Sequence, residues 1–274
     1  MNYLVTGAAG FIGSACATFL IGGGVLVVFL LLIIAYCALK VIKHEKSQQI
    51  RLTNIEAKLS ILQDKNDKST VKWNSTNYNY LAIGNSITKH EINGYWWNEC
   101  GMAASTEDKD YVHLVSNSLN ANYYAYNFAV WEMMSHDRGE ALSVLDKMLS
   151  DELDLVTIQL SENILDMSTF ETDFEDLIRY IQERCPQAKI VALGDFWDAK
   201  KDEIKIRACE KTNIVFAGLD EIRGLSEFEC GVGTSVYDNS GNPHLVEHKG
   251  VAKHPNDKGM KQIANAILLA VKNN

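Results

Sequence analysis

From Asn77 to the C-terminus, short apolar runs alternate with amphipathic stretches, and this alternation most constrains the fold. The strand-like runs are Tyr78–Ile83, Tyr123–Val130, Leu155–Leu160, Lys189–Leu193 and Asn213–Ala217. Between them lie the helical stretches Asp108–Leu119, Gly139–Leu149, Phe170–Arg184 and Lys200–Lys211, with a last helix from about Asp257 to Val271. Chains that alternate in this way build an α/β fold, a parallel sheet covered on both faces. Ligands of such sheets bind beyond the carboxyl ends of the strands, so the residues there are the candidates for function.

The first part of the chain is of another kind. No charged side chain occurs from Met1 to Leu39, and Val25–Ala35 is apolar throughout. Taken from 19 to 39, the run reaches the roughly 20 residues that a helix needs to cross a bilayer. A cleaved signal peptide would need a basic start and a shorter apolar core. Residues 1–43 are therefore expected to be a membrane anchor, single-pass, with the lipid bilayer as its partner. Lys40, Lys43, Lys46 and Arg51 follow the span. The positive-inside rule leans toward a cytoplasmic C-terminal domain. A hairpin turned at Gly22–Gly24 is the alternative topology.

Tyr3–Gly13, with Gly7, Gly10 and Gly13, resembles the start of an NAD-dependent sugar epimerase. That fingerprint requires a second strand and an acidic residue about 20 positions on. Here a bilayer-length run follows and no acidic residue appears before Glu45, so no nucleotide site can be completed from this segment. Small residues that let membrane helices approach closely are the better reading. Residues 44–76 are expected to form a helical stalk and linker. Leu52, Ile55, Leu59 and Leu62 recur at heptad spacing in it, a pattern that allows self-association. The folded domain is expected from 77 to 274.

A net charge of −9 excludes the basic footprint of a nucleic-acid binder. The six Cys form no C-x-x-C pair, so neither a zinc site nor a disulfide framework is expected.

Four segments stand at strand ends or before the last helix. Gly84-Asn85-Ser86 follows the first strand, where a serine hydroxyl can be exposed at the sheet edge. Asn127-x-Ala129 follows the second and Ser161-x-Asn163 the third. An amide there can donate to an oxyanion or merely cap a loop. His254-Pro255-Asn256 precedes the last helix, with Asn256 or Asp257 available as its cap.

These segments, in this order, resemble the SGNH hydrolases, also called the GDSL family, over roughly the last 200 residues. The resemblance implies a flavodoxin-like three-layer sandwich with a five-stranded parallel sheet. It implies Ser86 as nucleophile and His254 as general base. The oxyanion hole would be the N–H groups of Ser86 and Ala129 and the side-chain amide of Asn163. It implies no cofactor and no metal. Gly94–Ser105 also resembles a bacterial subset of the family associated with surface-polysaccharide loci.

The chain departs from the family pattern at several positions. Asn85 replaces the usual Asp, and Ala129 and Ser161 stand where Gly is usual. Val251 occupies the place of the acid, three residues before the His. Without an acid the imidazole lacks its usual orienting partner. Glu247 or Asp238 is a possible surrogate, or a backbone carbonyl holds the ring. Trp96, Trp97, Trp131, Glu132 and Trp197 are candidates for a substrate wall, with core packing as the plainer role for the tryptophans. The expected function is an esterase or O-acyl(acetyl)transferase acting through an acyl-enzyme on a small-molecule or carbohydrate ester. The alternative is a catalytically impaired, membrane-tethered binding or scaffold module of envelope polysaccharide assembly.

Overall fold

The computed structural model describes residues 24–66 and 69–273, with described side chains beginning at Leu31. The chain divides into two units, Met1–Leu52 and Thr53–Asn274. Helix α1 (Gly24–Asn66) runs through both. In the first unit it exposes Leu31, Leu32, Ile33, Ile34 and Leu39. Among the described residues no helix is long and apolar enough to cross a membrane. The expected span, 19–39, lies partly outside those residues, and the epimerase-like Gly7, Gly10 and Gly13 lie wholly outside them.

In the second unit the sheet comprises β1 (Tyr78–Gly84), β2 (Ala121–Asn127), β3 (Leu155–Gln159), β4 (Lys189–Leu193) and β5 (Val215–Ala217). All pairings are parallel, in the order β2-β1-β3-β4-β5. This is the flavodoxin-like order, whose topological switch point lies between β1 and β3. Alternate strand residues face opposite layers, as the period of two requires. Tyr80, Ala82, Val191 and Leu193 pack under α2 (Tyr111–Leu119) and α6 (Asp257–Lys272). Leu81, Ile83, Val156 and Ile158 pack under α4 (Phe170–Arg184). Helix α5 (Ala199–Thr212) lies beside α4 on that face, with Ala208 and Cys209 in the same apolar cluster. The five-stranded parallel α/β architecture expected from the alternation is thus present.

The differences are local. The second strand, expected over Tyr123–Val130, ends at Asn127, and the chain enters a short helix α3 (Ala129–Met133). Asn127 Oδ1 accepts the Ala129 N–H at 3.0 Å across a tight turn and so satisfies the first N–H of the helix. The stretch expected as a helix over Gly139–Leu149 is a 3₁₀ segment, Arg138–Lys147. A small hairpin, β6 (Ser235–Tyr237) with β7 (Pro243–Leu245), had no recognisable alternation. The last turns of α1 pack in the domain. Ala57 and Ile61, four residues apart, are buried in its core, and Asp64 accepts from the Tyr126 hydroxyl at 2.6 Å. Cys100, Cys185, Cys209 and Cys230 are buried free thiols.

Candidate active site

Ser86 follows β1 by two residues. The turn that presents it is held by Asn85, whose carbonyl accepts from Thr88 and Lys89 N–H groups and whose Oδ1 accepts the Ile87 N–H at 3.1 Å. Gly84 is required before it. A Cβ there would lie 1.8 Å from Thr88 Oγ1 and 2.8 Å from the Gln159 carbonyl oxygen.

His254 closes the 3₁₀ turn Val251–Lys253, immediately before α6. Asn256 Oδ1 caps α6 by accepting the Gly259 N–H. Asp257, the other candidate cap, instead accepts from the N–H and hydroxyl of Ser105 at 2.7 and 2.6 Å. The two elements bring Ser86 Oγ to 2.8 Å from His254 Nε2. His254 Nδ1 lies 2.9 Å from the carbonyl oxygen of Gly250. A carbonyl only accepts, so Nδ1 carries the proton and Nε2 is the free acceptor. Ser86 therefore donates to Nε2, the geometry in which a histidine removes a proton from a nucleophilic hydroxyl.

Neither acid surrogate joins the pair. Both ring nitrogens of His254 are occupied. Asp238 is bound within its own loop by Asn242, Ser240 and His244, and Glu247 is exposed. Val251, at the family's acid position, is 1% exposed in the apolar core. Burial pushes the His254 imidazole down to about 4, against the Gly250 hydrogen bond and aided by the nearby charges of His90 and His248. The base is neutral across the physiological range.

The expected oxyanion donors fare unequally. The Ser86 N–H donates to nothing among the described residues. The Ala129 N–H, by contrast, is taken by Asn127 Oδ1. As it stands it is an occupied N–H at the start of α3 and not an open donor. Asn163 is exposed and gives one amide hydrogen to Glu132 Oε2 at 2.7 Å, which leaves the second.

Ser161, where the family has Gly, keeps a glycine-like backbone with φ 142°. Five bonds hold it there, one of them from the Ile164 N–H to its carbonyl at 3.0 Å. Its N–H donates to Glu132 Oε1 at 2.6 Å and its hydroxyl to Asp195 Oδ2 at 2.7 Å. Lys205 donates to that hydroxyl at 3.2 Å, and Lys201 to the Ser161 carbonyl at 2.8 Å. Ala129 is not among the residues with positive φ, so its Cβ brings no strain.

Three of the candidate substrate-wall residues are buried in the core. Trp131 and Glu132 are fully buried, because α3 turns them into the core beneath the loop after β3. Trp96 is buried as well. Trp97 stacks on His244 at 4.5 Å, against the hairpin. Trp197 remains at the site. It is 37% exposed and stands edge-on to His254, with ring centroids 5.2 Å apart. Tyr95 is likewise exposed and stacks on His248 at 4.4 Å.

Sequence reasoning missed Glu162, Asp195, Lys201 and Lys205. Glu162 Oε2 accepts from Asn85 Nδ2 at 2.7 Å, and its carboxyl is pushed up to about 8 by burial and then by Asp195 and Glu132. The signals were present. Asp195 lies two residues past β4, and Lys201 and Lys205 sit one helical turn apart on α5.

No family model and no curated protein matches this chain. Solved structures similar to it include an extracellular lipase from Streptomyces rimosus, 15% identical over 70% of this chain and 99% of the lipase, with a TM-score of 0.46. A phospholipase A1 from Streptomyces albidoflavus NA297 is 12% identical over 71% and 99%, with a TM-score of 0.45. A family two carbohydrate esterase from Cellvibrio japonicus is 14% identical over 71% of this chain and 60% of its own, with a TM-score of 0.43. Similarity at this level leaves the chemistry to be decided by Ser86, His254 and their neighbours. The fold and site define a class in their own terms: a flavodoxin-like α/β domain with a serine–histidine pair beyond the sheet's carboxyl edge.

Proposed function

We propose that this chain is a serine-dependent ester hydrolase or O-acyltransferase of the SGNH type, acting on an acyl ester of a carbohydrate. The observation that carries the reading is the 2.8 Å contact of Ser86 Oγ with an unprotonated His254 Nε2. Ser86 Oγ attacks the ester carbonyl as its proton passes to Nε2. The proton then leaves with the alcohol, and an acyl-enzyme remains. Water or a sugar hydroxyl, deprotonated by the same nitrogen, releases the acyl group. Ser86 N–H and the free hydrogen of Asn163 are the donors for the oxyanion. The exposed rings of Trp197, edge-on to His254, and of Tyr95, stacked on His248, suit the flat apolar faces of a sugar. The uncharged run from 19 to 39 tethers the enzyme to a membrane in this reading.

The test is turnover of a small acetyl ester and labelling by a fluorophosphonate, both lost in Ser86→Ala. A second reading, a non-catalytic binding module, is favoured by the apolar Val251 where an acid would stand. A folded wild-type protein that neither turns over the ester nor takes the label would establish that reading instead.

A further inference from the structure

An asparagine that serves an oxyanion must present its NH₂ and not its carbonyl, two groups of nearly the same shape. Nothing in the side chain itself makes that choice. In this site Glu132 makes it. Its Oε2 lies 2.7 Å from Asn163 Nδ2, and its Oε1 lies 3.4 Å from the Asn163 N–H. Burial raises the Glu132 carboxyl overall, and the hydrogen bonds from Asn163, Ser161 and Asn85 pull it back toward the charged form. With these donors on it the carboxylate accepts, and Nδ2 is the atom that faces it. One N–H is spent on Glu132, and the other projects from a residue that is exposed at the sheet edge.

The same carboxylate reaches further. Oε1 accepts the Ser161 N–H at 2.6 Å and Asn85 Nδ2 at 3.1 Å. Glu132 thus bonds to the residue before the nucleophile, to the strained Ser161 and to Asn163. These three lie on the loops after β1 and β3, the two sides of the topological switch point. The carboxylate is fully buried, and four N–H groups converge on it. Burial of this kind is costly unless the oxygens are hydrogen-bonded, and here three N–H groups fall on Oε1 and one on Oε2.

We propose that Glu132 is a positioning residue. It fixes the amide of Asn163 with a donor toward the ester oxygen and holds both sides of the oxyanion site in register. The proposal rests on the esterase reading above. It assigns to Glu132 a task that a residue merely packed in the core would not perform.

A double-mutant cycle on the full chain tests it, with Glu132→Gln, Asn163→Ala and the pair assayed on a small acetyl ester. Gln keeps the shape, but it can donate to Asn163 Oδ1 and so permits the flipped amide. Glu132→Gln is expected to lower kcat about 10²–10³-fold, as loss of an oxyanion donor does, with KM changed far less. The double variant should be no worse than the poorer single one. Losses that multiply, or an unchanged kcat in Glu132→Gln, would overturn the proposal.

Two further measurements cover poor folding and absent turnover. Glu132→Asp keeps an acceptor and should recover part of kcat. The ¹⁵N-bound side-chain protons of Asn163, identified by their loss in Asn163→Ala, should be widely split in the wild type and collapse together in Glu132→Gln. A split that persists in Glu132→Gln overturns the positioning role. Absence of wild-type turnover with the split intact overturns the esterase reading and leaves the held amide standing.

Discussion

The carbonyl oxygen of Gly250 accepts the proton of His254 Nδ1 at 2.9 Å, at the place where a triad would put a carboxylate. A carbonyl sets the tautomer as well as an acid does. It lacks the full negative charge that would stabilise the imidazolium formed when Ser86 gives up its proton. The pair therefore starts correctly arranged but with a weak base.

That weakness has a pH signature. Burial, with His90 and His248 nearby, places the imidazole at about 4, below its ordinary 6.5. The base must be neutral to act, so kcat/KM on a small acetyl ester should hold down to about pH 5 and fall only as pH approaches 4. A half-maximum at 6.5 or above would show an imidazolium supported by charge. Stability follows the same sign. A folded value below the unfolded one means that stability is full above 6.5 and is lost as pH falls from there toward 4. Unfolding of the wild type and His254→Gln across this window should converge at the acid end.

Restoring the family's acid should not help. Val251 is 1% exposed and packs in the same apolar cluster as Met260 and Ile263. Val251→Asp buries a carboxylate while Gly250 already holds Nδ1, so it should lose about 2–5 kcal/mol in urea unfolding with no gain in kcat. Glu247→Gln, in an exposed side chain with no free ring nitrogen to reach, should keep kcat within about twofold. A rise in kcat for Val251→Asp would show that the turn exchanges its carbonyl for the new acid.

Asn85 illustrates why a departure from a family pattern can be obligatory. Its Nδ2 donates to Glu132 Oε1 at 3.1 Å and to Glu162 Oε2 at 2.7 Å. An Asp there would set a new carboxyl against Glu132 and against Glu162, which already sits at about 8, and would remove the donor both accept from. Asn85→Asp should cost on the order of 3 kcal/mol at neutral pH. The cost should shrink as pH falls and the carboxylates take up protons, because the new group's folded value is raised by its neighbours. Denaturant midpoints measured from pH 5 to 8 check both the size and the slope.

Ser161 at φ 142° carries strain of about 1–3 kcal/mol. Ser161→Ala keeps the strain and deprives Asp195 and Lys205 of the hydroxyl, a further loss of about 1–3 kcal/mol. Ser161→Gly loses the same hydroxyl but relieves the backbone. In urea unfolding the Gly variant should therefore be more stable than the Ala variant. The reverse order would mean that the strain is small.

Apolar periodicity alone located all five strands of the sheet, since a period of two or near four is written in adjacent residues. Strand ends and the His-Pro-Asn turn likewise marked Ser86 and His254, which the fold sets 2.8 Å apart. What the tertiary structure decided is which element covers each face. Trp131 and Glu132 looked available beside Ala129, yet α3 turns them into the core, and Asn127 takes the Ala129 N–H. The stalk shows the same division. Its heptad spacing is visible in sequence, and Ile55, Leu59 and Leu62 remain exposed, whereas the neighbouring Ala57 and Ile61 are the residues buried in the domain. Spacing along one element fixes only the relative directions of its side chains. Burial, the partner of a ring nitrogen and the company of a carboxylate depend on residues tens to hundreds of positions away, and no local pattern encodes them.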